Sequence, residues 1–207
     1  MKKITTLILT LSAITTFAGQ PDYFPDGTID DFCEQWYGEH LSVMNEPSLY
    51  PSAEDSSNEI YRFTLLPTWG RSVSIRVEVK KSIITIHTVK LTGSGGYDPG
   101  EIKFRKTLTL NPNQSSELIG KLNSLNFFSM SLEDDTNGRD GSKWIFEGVK
   151  NGKYHVISRW CPDVYYTEKR NLVEFVSTCN LMLEYLKKDS NQSSEPTRIT
   201  PADEGKD

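Results

Sequence analysis

DGSKWIFEGVKNGKYHVISRW, residues 140–160, is the stretch on which the reading of the fold turns. Asn151-Gly152 is the strongest two-residue signal for a type I′ turn, whose two central residues both need positive φ. With those two at the turn, Lys150 faces Lys153, Val149 faces Tyr154, Gly148 faces His155, Glu147 faces Val156, Phe146 faces Ile157 and Trp144 faces Arg159. Directly opposed residues share a face of the sheet. One face then carries Trp144, Phe146, Gly148, His155, Ile157 and Arg159, and the other Ile145, Glu147, Val149, Tyr154, Val156 and Ser158. Sheet packing accounts for the apolar residues of both faces. What stands out is the gathering of Trp144, His155 and Arg159 on one side, with Gly148 leaving room for the imidazole. A stacked indole and guanidinium would form a cation–π pair, and Asp140 is an acidic neighbour that the arginine could pair with.

Working outward, residues 60–66, 72–80 and 82–91 are rich in Val, Ile, Thr and Tyr and read as strands. Residues 101–110, EIKFRKTLTL, alternate apolar and polar, as expected of an antiparallel strand with one solvated face. The glycine-rich stretch GSGGYDPG, residues 93–100, connects two strands. Helical spacing of apolar residues runs over 28–44, over 111–124 behind the helix-starting pair Asn111-Pro112, and over 168–188. The segment NFFSM, residues 126–130, is apolar enough to plug the core. Strands in a block with helices at the ends predict an α+β fold: one antiparallel sheet of about six strands, flanking N- and C-terminal helices and one mid-chain helix.

The opening MKKITTLILTLSAITTFAGQ has a Lys2-Lys3 head, an uncharged apolar or hydroxylated run and small residues before Gly19, the form of a cleavable secretory signal over residues 1–18, cut after Ala18. The expected organisation is a signal peptide at 1–18, a single globular domain at 19–187 and a disordered tail at 188–207, where periodicity and apolar residues give out. Such a chain works in the periplasm or is secreted. Loss of Lys2 and Lys3 moves the formal charge from −5 to −7, spread without a basic stripe, so nucleic acid and anionic membrane surfaces are poor partners. No later segment is apolar enough to span a bilayer.

Cys33, Cys161 and Cys179 are three thiols in an oxidising compartment, which suggests one disulfide and one leftover. Three pairings exist. Cys33 and Cys179 both lie on apolar stripes of helical segments, so docking of those helices favours a Cys33–Cys179 bond.

Chemistry-bearing motifs are scarce. GSGGYDPG lacks the Gly-Lys-Ser/Thr end of a phosphate loop and precedes a strand, so it is read as a connection whose Tyr97 and Asp98 could line a ligand mouth. EDDTNGRDG places Glu133, Asp135, Asn137 and Gly138 at calcium-loop spacing, but its twelfth position is Trp144 where a carboxylate is needed. No HExxH, HxH, CxxC or GxSxG occurs. No metal and no cofactor is expected, and no nucleophile is nominated. The candidate ligand-binding residues are Tyr97, Trp144, His155 and Arg159.

GSGGYDPG, the aromatic-trailed helix around 118–128 and DGSKWIFEGVKNGKYHVISRWCP resemble a family of small secreted bacterial proteins of unassigned function. Its pattern is Gly-Gly-Tyr-x-x-Gly, then Asp-Gly-Ser-x-Trp, Glu-Gly, Tyr-His and Arg-Trp-x-Pro, and the likeness extends over roughly residues 30–186. The resemblance implies a domain and a location but no activity. Cys161 stands where that pattern would have Ser, which leans further toward Cys33–Cys179. Together these features lead to the expectation of an exported, non-catalytic binding protein of the bacterial envelope, for instance an immunity-type inhibitor of a periplasmic toxin. The alternatives are a periplasmic hydrolase using His155 with Asp140, or a small-ligand-binding protein.

Overall fold

The structure, a computed structural model, describes residues 22–188; the expected signal peptide, and the tail beyond residue 188, lie outside the described residues. In chain order the elements are α1 (Asp31–Val43), β1 (Glu59–Pro67), β2 (Val73–Lys80), β3 (Ile83–Leu91), β4 (Ile102–Thr109), α2 (Pro112–Ser124), β5 (Ser142–Lys150), β6 (Lys153–Trp160) and α3 (Val173–Lys188). The six strands form one antiparallel sheet in the order β4-β3-β2-β1-β5-β6. The fold is therefore α+β, with the six-stranded antiparallel sheet and the three helices near the two ends and mid-chain.

The β5–β6 hairpin has the register that its turn dictates: Trp144 pairs with Arg159, Gly148 with His155 and Lys150 with Lys153. Asn151 (φ 53°) and Gly152 (φ 72°) supply the two positive-φ residues of the turn. Helix starts follow local chemistry as well. The Asp30 side chain accepts from the Cys33 amide at α1, and Asn111 with Gln114 forms a capping box at α2. The third helix starts later than its periodicity suggests, at Val173 instead of residue 168. Tyr166 and Asn171, both at φ 54°, interrupt the helical path, and Arg170 spends its guanidinium on the carbonyls of Trp160, Cys161 and Tyr165.

The sheet is covered on both sides. One side carries Tyr61, Phe63, Ile75, Val77, Ile84, Ile86, Trp144, Phe146 and Ile157, packed beneath Leu118 and Leu122 of α2 and Phe175, Cys179 and Met182 of α3. The other carries Leu66, Ile145 and Val156 beneath Tyr37 and Leu41 of α1, with Tyr23 and Phe24 ahead of that helix. This double coverage buries β5 almost throughout and explains why the hairpin is aromatic or apolar on both faces.

That arrangement overturns the expected disulfide. All three cysteines are free. Cys33 belongs to the α1 layer and Cys179 to the α3 layer, so the sheet stands between the two sulfurs. Layers pack about 10 Å from a sheet, well beyond the separation of about 7 Å at which two cysteine Cα atoms can still be bridged. Amphipathic periodicity placed each thiol toward the sheet correctly, but two helices that face one sheet from opposite sides do not face each other.

On the α1 side, one line of paired residues crosses the sheet as Val156, Glu147, Arg62, Arg76, His87 and Thr107. Arg62 and Glu147 are completely buried, with Arg62 Nε and Nη2 at 2.7 and 2.6 Å from one Glu147 oxygen. Tyr154 donates to the other Glu147 oxygen at 3.0 Å. Arg62 Nη1 donates to the Pro47 carbonyl at 2.6 Å, and Glu46, on the turn after α1, pairs with Arg76 Nε at 2.9 Å. Burial pushes the Glu147 carboxyl upward against the opposing pull of Arg62 and the Tyr154 hydroxyl.

Candidate functional site

Three of the four candidate ligand-binding residues lie on one face, and each is already engaged within the fold. Trp144 is buried against Phe63 and Phe175, and its indole N–H donates to Ser142 Oγ at 3.0 Å. His155 lies against Phe127 and Phe128 and donates through Nε2 to the Met130 carbonyl at 2.8 Å. Arg159 donates to the carbonyls of Leu132, Ser158 and Ser131, each at 2.8 Å. Its carboxylate neighbour is Asp134, at 3.7 Å from Nε. The space beside Gly148 is taken by Phe127 instead of the imidazole, since a Cβ there would lie 2.6 Å from Phe127 Cε1. His155 sits opposite Gly148 near the hairpin turn, whereas Asp140 precedes the start of β5, eight positions from Gly148. At ~3.3 Å per residue the two are about 20 Å or more apart, so the fold does not join them as an acid–base pair.

The fourth candidate, Tyr97, leads to a different place. The β1–β2 turn, the β3–β4 loop, the segment before β5 and the segment after β6 all emerge at one end of the sheet. Among the described residues, the exposed aromatic side chains concentrate there: Phe32 (72% exposed), Trp69 (73%), Tyr97 (56%), Tyr165 and Tyr166, with Phe128 alone elsewhere. Trp69 and Tyr97 lie with ring centroids 5.1 Å apart, and Phe32 adjoins Trp36 at 6.1 Å. Phe32, Trp36 and Tyr97 line a cleft of about 690 Å³, walled further by Glu39, Arg139 and Lys143. The sequence showed Trp69 only as an aromatic residue inside a short turn, and Phe32 and Trp36 only as apolar positions of a helix.

The loops that carry the aromatic residues are tied down. Within the glycine-rich loop, Gly93 N–H donates to the Pro99 carbonyl at 3.0 Å and Ser94 N–H to the Asp98 carbonyl at 2.9 Å. Gly95 N–H reaches across to the Gly70 carbonyl at 2.9 Å, and the Gly95 carbonyl accepts from Trp36 Nε1 at 2.7 Å. Thr68 N–H donates to the Gly141 carbonyl at 2.8 Å, joining the β1–β2 turn to the loop before β5. A preformed surface of this kind orders few side chains on binding, which favours affinity.

Cys33 borders the cleft, but burial pushes its thiol up to about 11, leaving it protonated. Burial also drives the Cys179 thiol well above its ordinary value. The acidic loop directs Asp134 to Arg170, at 2.8 and 3.1 Å. Among the described residues, no group of three His, Cys, Asp or Glu side chains could hold a metal ion, and no helix is long and apolar enough to cross a membrane.

Beneath the cleft, His40 of α1 is fully buried, its Nδ1 at 3.0 Å from Ser72 Oγ. Burial lowers its pKa to about 4 from an ordinary 6.5, with the Gly95 carbonyl and the Asp98 carboxylate opposing the shift. A depressed histidine stabilises the fold fully above the unfolded value of 6.5, and that contribution is lost as pH falls toward 4. Urea titrations are expected to show about 2 kcal/mol less stability at pH 5 than at pH 7 from this group alone. The slope should flatten in His40→Gln; an unchanged slope would assign the loss to other groups.

No family model matches this chain, and no curated protein does.

Proposed function

We propose that the protein is an exported, non-catalytic binding protein of the bacterial envelope whose recognition face is the loop end of the sheet. The observation that carries this reading is the concentration of exposed aromatic side chains on loops fixed by hydrogen bonds. Interfaces are enriched in aromatic residues and arginine, and contiguous exposed apolar patches mark interaction sites. A partner-blocking role, as an immunity-type inhibitor has toward a periplasmic toxin, suits such a face. The secretory-type leader and the resemblance to small secreted proteins support the location.

Small-ligand binding is the second reading, favoured by the 690 Å³ cleft, which falls within the ordinary size range of ligand pockets. The hydrolase alternative has no comparable support, because His155 and Asp140 lie far apart.

The test compares the wild type with a Trp69→Ala, Tyr97→Ala double variant in quantitative cross-linking and pull-down from envelope extracts. Aromatic hot spots contribute about 2 kcal/mol or more, so capture of a stoichiometric partner should weaken about thirty-fold while the unfolding curve stays unchanged. Equal capture by both proteins would remove the loop end from consideration.

A further inference from the structure

At the start of α3 the fold gathers more buried positive charge than its own carboxylates neutralise. Arg159 is 3% exposed, and the Arg170 side chain is 7% exposed. Asp134 is shared by both as the carboxylate within 4 Å, and Glu133 acts on Arg159 from farther away. Asp134 holds Arg170 through two hydrogen bonds of 2.8 and 3.1 Å but stands 3.7 Å from Arg159 Nε, and that buried nitrogen has no hydrogen-bond partner. The carbonyls around the two guanidinium groups orient them without balancing their charge. Burial works against the charged form of Arg159, lowering its pKa. Glu174, nearby in the first turn of α3, is more than half exposed and is tied to Lys121 at 3.3 Å.

The helix adds its own positive end. Leu172 precedes α3 and has no side-chain acceptor; the first helical bond runs from the Val176 amide to the Leu172 carbonyl, and among the described residues no side chain accepts from the amides of Val173, Glu174 or Phe175. An uncapped helix N-terminus carries roughly half a positive charge and presents free N–H groups, the arrangement that binds phosphate. These residues and both arginines border one cleft of about 410 Å³. Two buried cations sharing one close carboxylate, an unpartnered buried Arg159 nitrogen and an open helix start are independent observations that converge on one place.

We propose that this cleft binds a phosphate group, free or as a monoester, against the α3 N-terminus and the Arg159–Arg170 pair. Phosphate is preferred over carboxylate because the cleft presents three backbone amides besides the guanidinium groups, more donors than two carboxylate oxygens use well. The proposal does not depend on the aromatic recognition face.

The test is thermal unfolding of the full chain in inorganic phosphate, glycerol 3-phosphate or acetate, each against sodium chloride at equal ionic strength. Amide shifts of residues 173–175 are followed by NMR. Phosphate is expected to raise Tm saturably by about 2–6 °C and to move those amides. A stronger response to glycerol 3-phosphate assigns the monoester, and an equal one assigns the phosphate group alone. Val173 is exposed, so Val173→Asp should fold, raise basal Tm by placing a carboxylate at the helix start, and weaken the phosphate response at least ten-fold. A phosphate effect no larger than that of chloride overturns the proposal. So does an acetate response without a phosphate response, or a full phosphate response in Val173→Asp.

Discussion

Arg62→Met is expected to lower the unfolding free energy by about 3–5 kcal/mol, because it strands a completely buried Glu147 without its cation. The change also removes the donor to the Pro47 carbonyl and the 3.7 Å contact with Glu46. The loss should appear in urea titrations as a lower midpoint at an unchanged slope. The double variant Arg62→Met, Glu147→Leu should recover a large part of it, since replacing a buried ion pair by apolar residues of similar volume is often neutral or stabilising. A double variant as unstable as the sum of the singles would mean that the two side chains act separately, against the geometry of two short contacts to one oxygen.

That buried belt also marks the boundary of what the sequence can tell. The hairpin register was legible from Asn151-Gly152, because a two-residue turn fixes every pair that follows it. Pairing between β1 and β5 was not legible, since these strands are separated by more than 70 residues and no turn sets their register. Arg62 and Glu147 therefore looked like two unrelated charges in strands. The sides of the sheet were hidden for the same reason. Periodicity says that Cys33 and Cys179 point toward a core, but not that one sheet has a core on each side, and the expected disulfide failed on that point alone. Arg159 was identified from its strand face. Its neighbours Asp134 and Arg170 come from loops, where no periodicity exists to place them.

At the recognition end, Gly95 is where the glycine-rich loop presses against β1. A Cβ at this position would lie 2.6 Å from the Cα and carbonyl carbon of Leu66 and 2.7 Å from the nitrogen of Pro67. Those are backbone atoms at the end of β1 and Leu66 is buried, so the loop must give way and not the strand. Gly95→Val should break both the Gly95–Gly70 bond and the anchor of Trp36, and so open the cleft wall. The expected cost is about 3 kcal/mol, as for overpacking against an unyielding neighbour, with partner capture reduced beyond the thirty-fold expected for loss of Trp69 and Tyr97. Gly120 of α2 is the matched control. A Cβ there meets nothing within 4 Å, so Gly120→Ala should stabilise by about 0.5–1 kcal/mol. Urea titrations and Trp36 fluorescence separate the outcomes. If Gly95→Val kept wild-type stability and indole emission, the loop would not be pinned to β1, and the preorganisation on which the proposed recognition face depends would be lost.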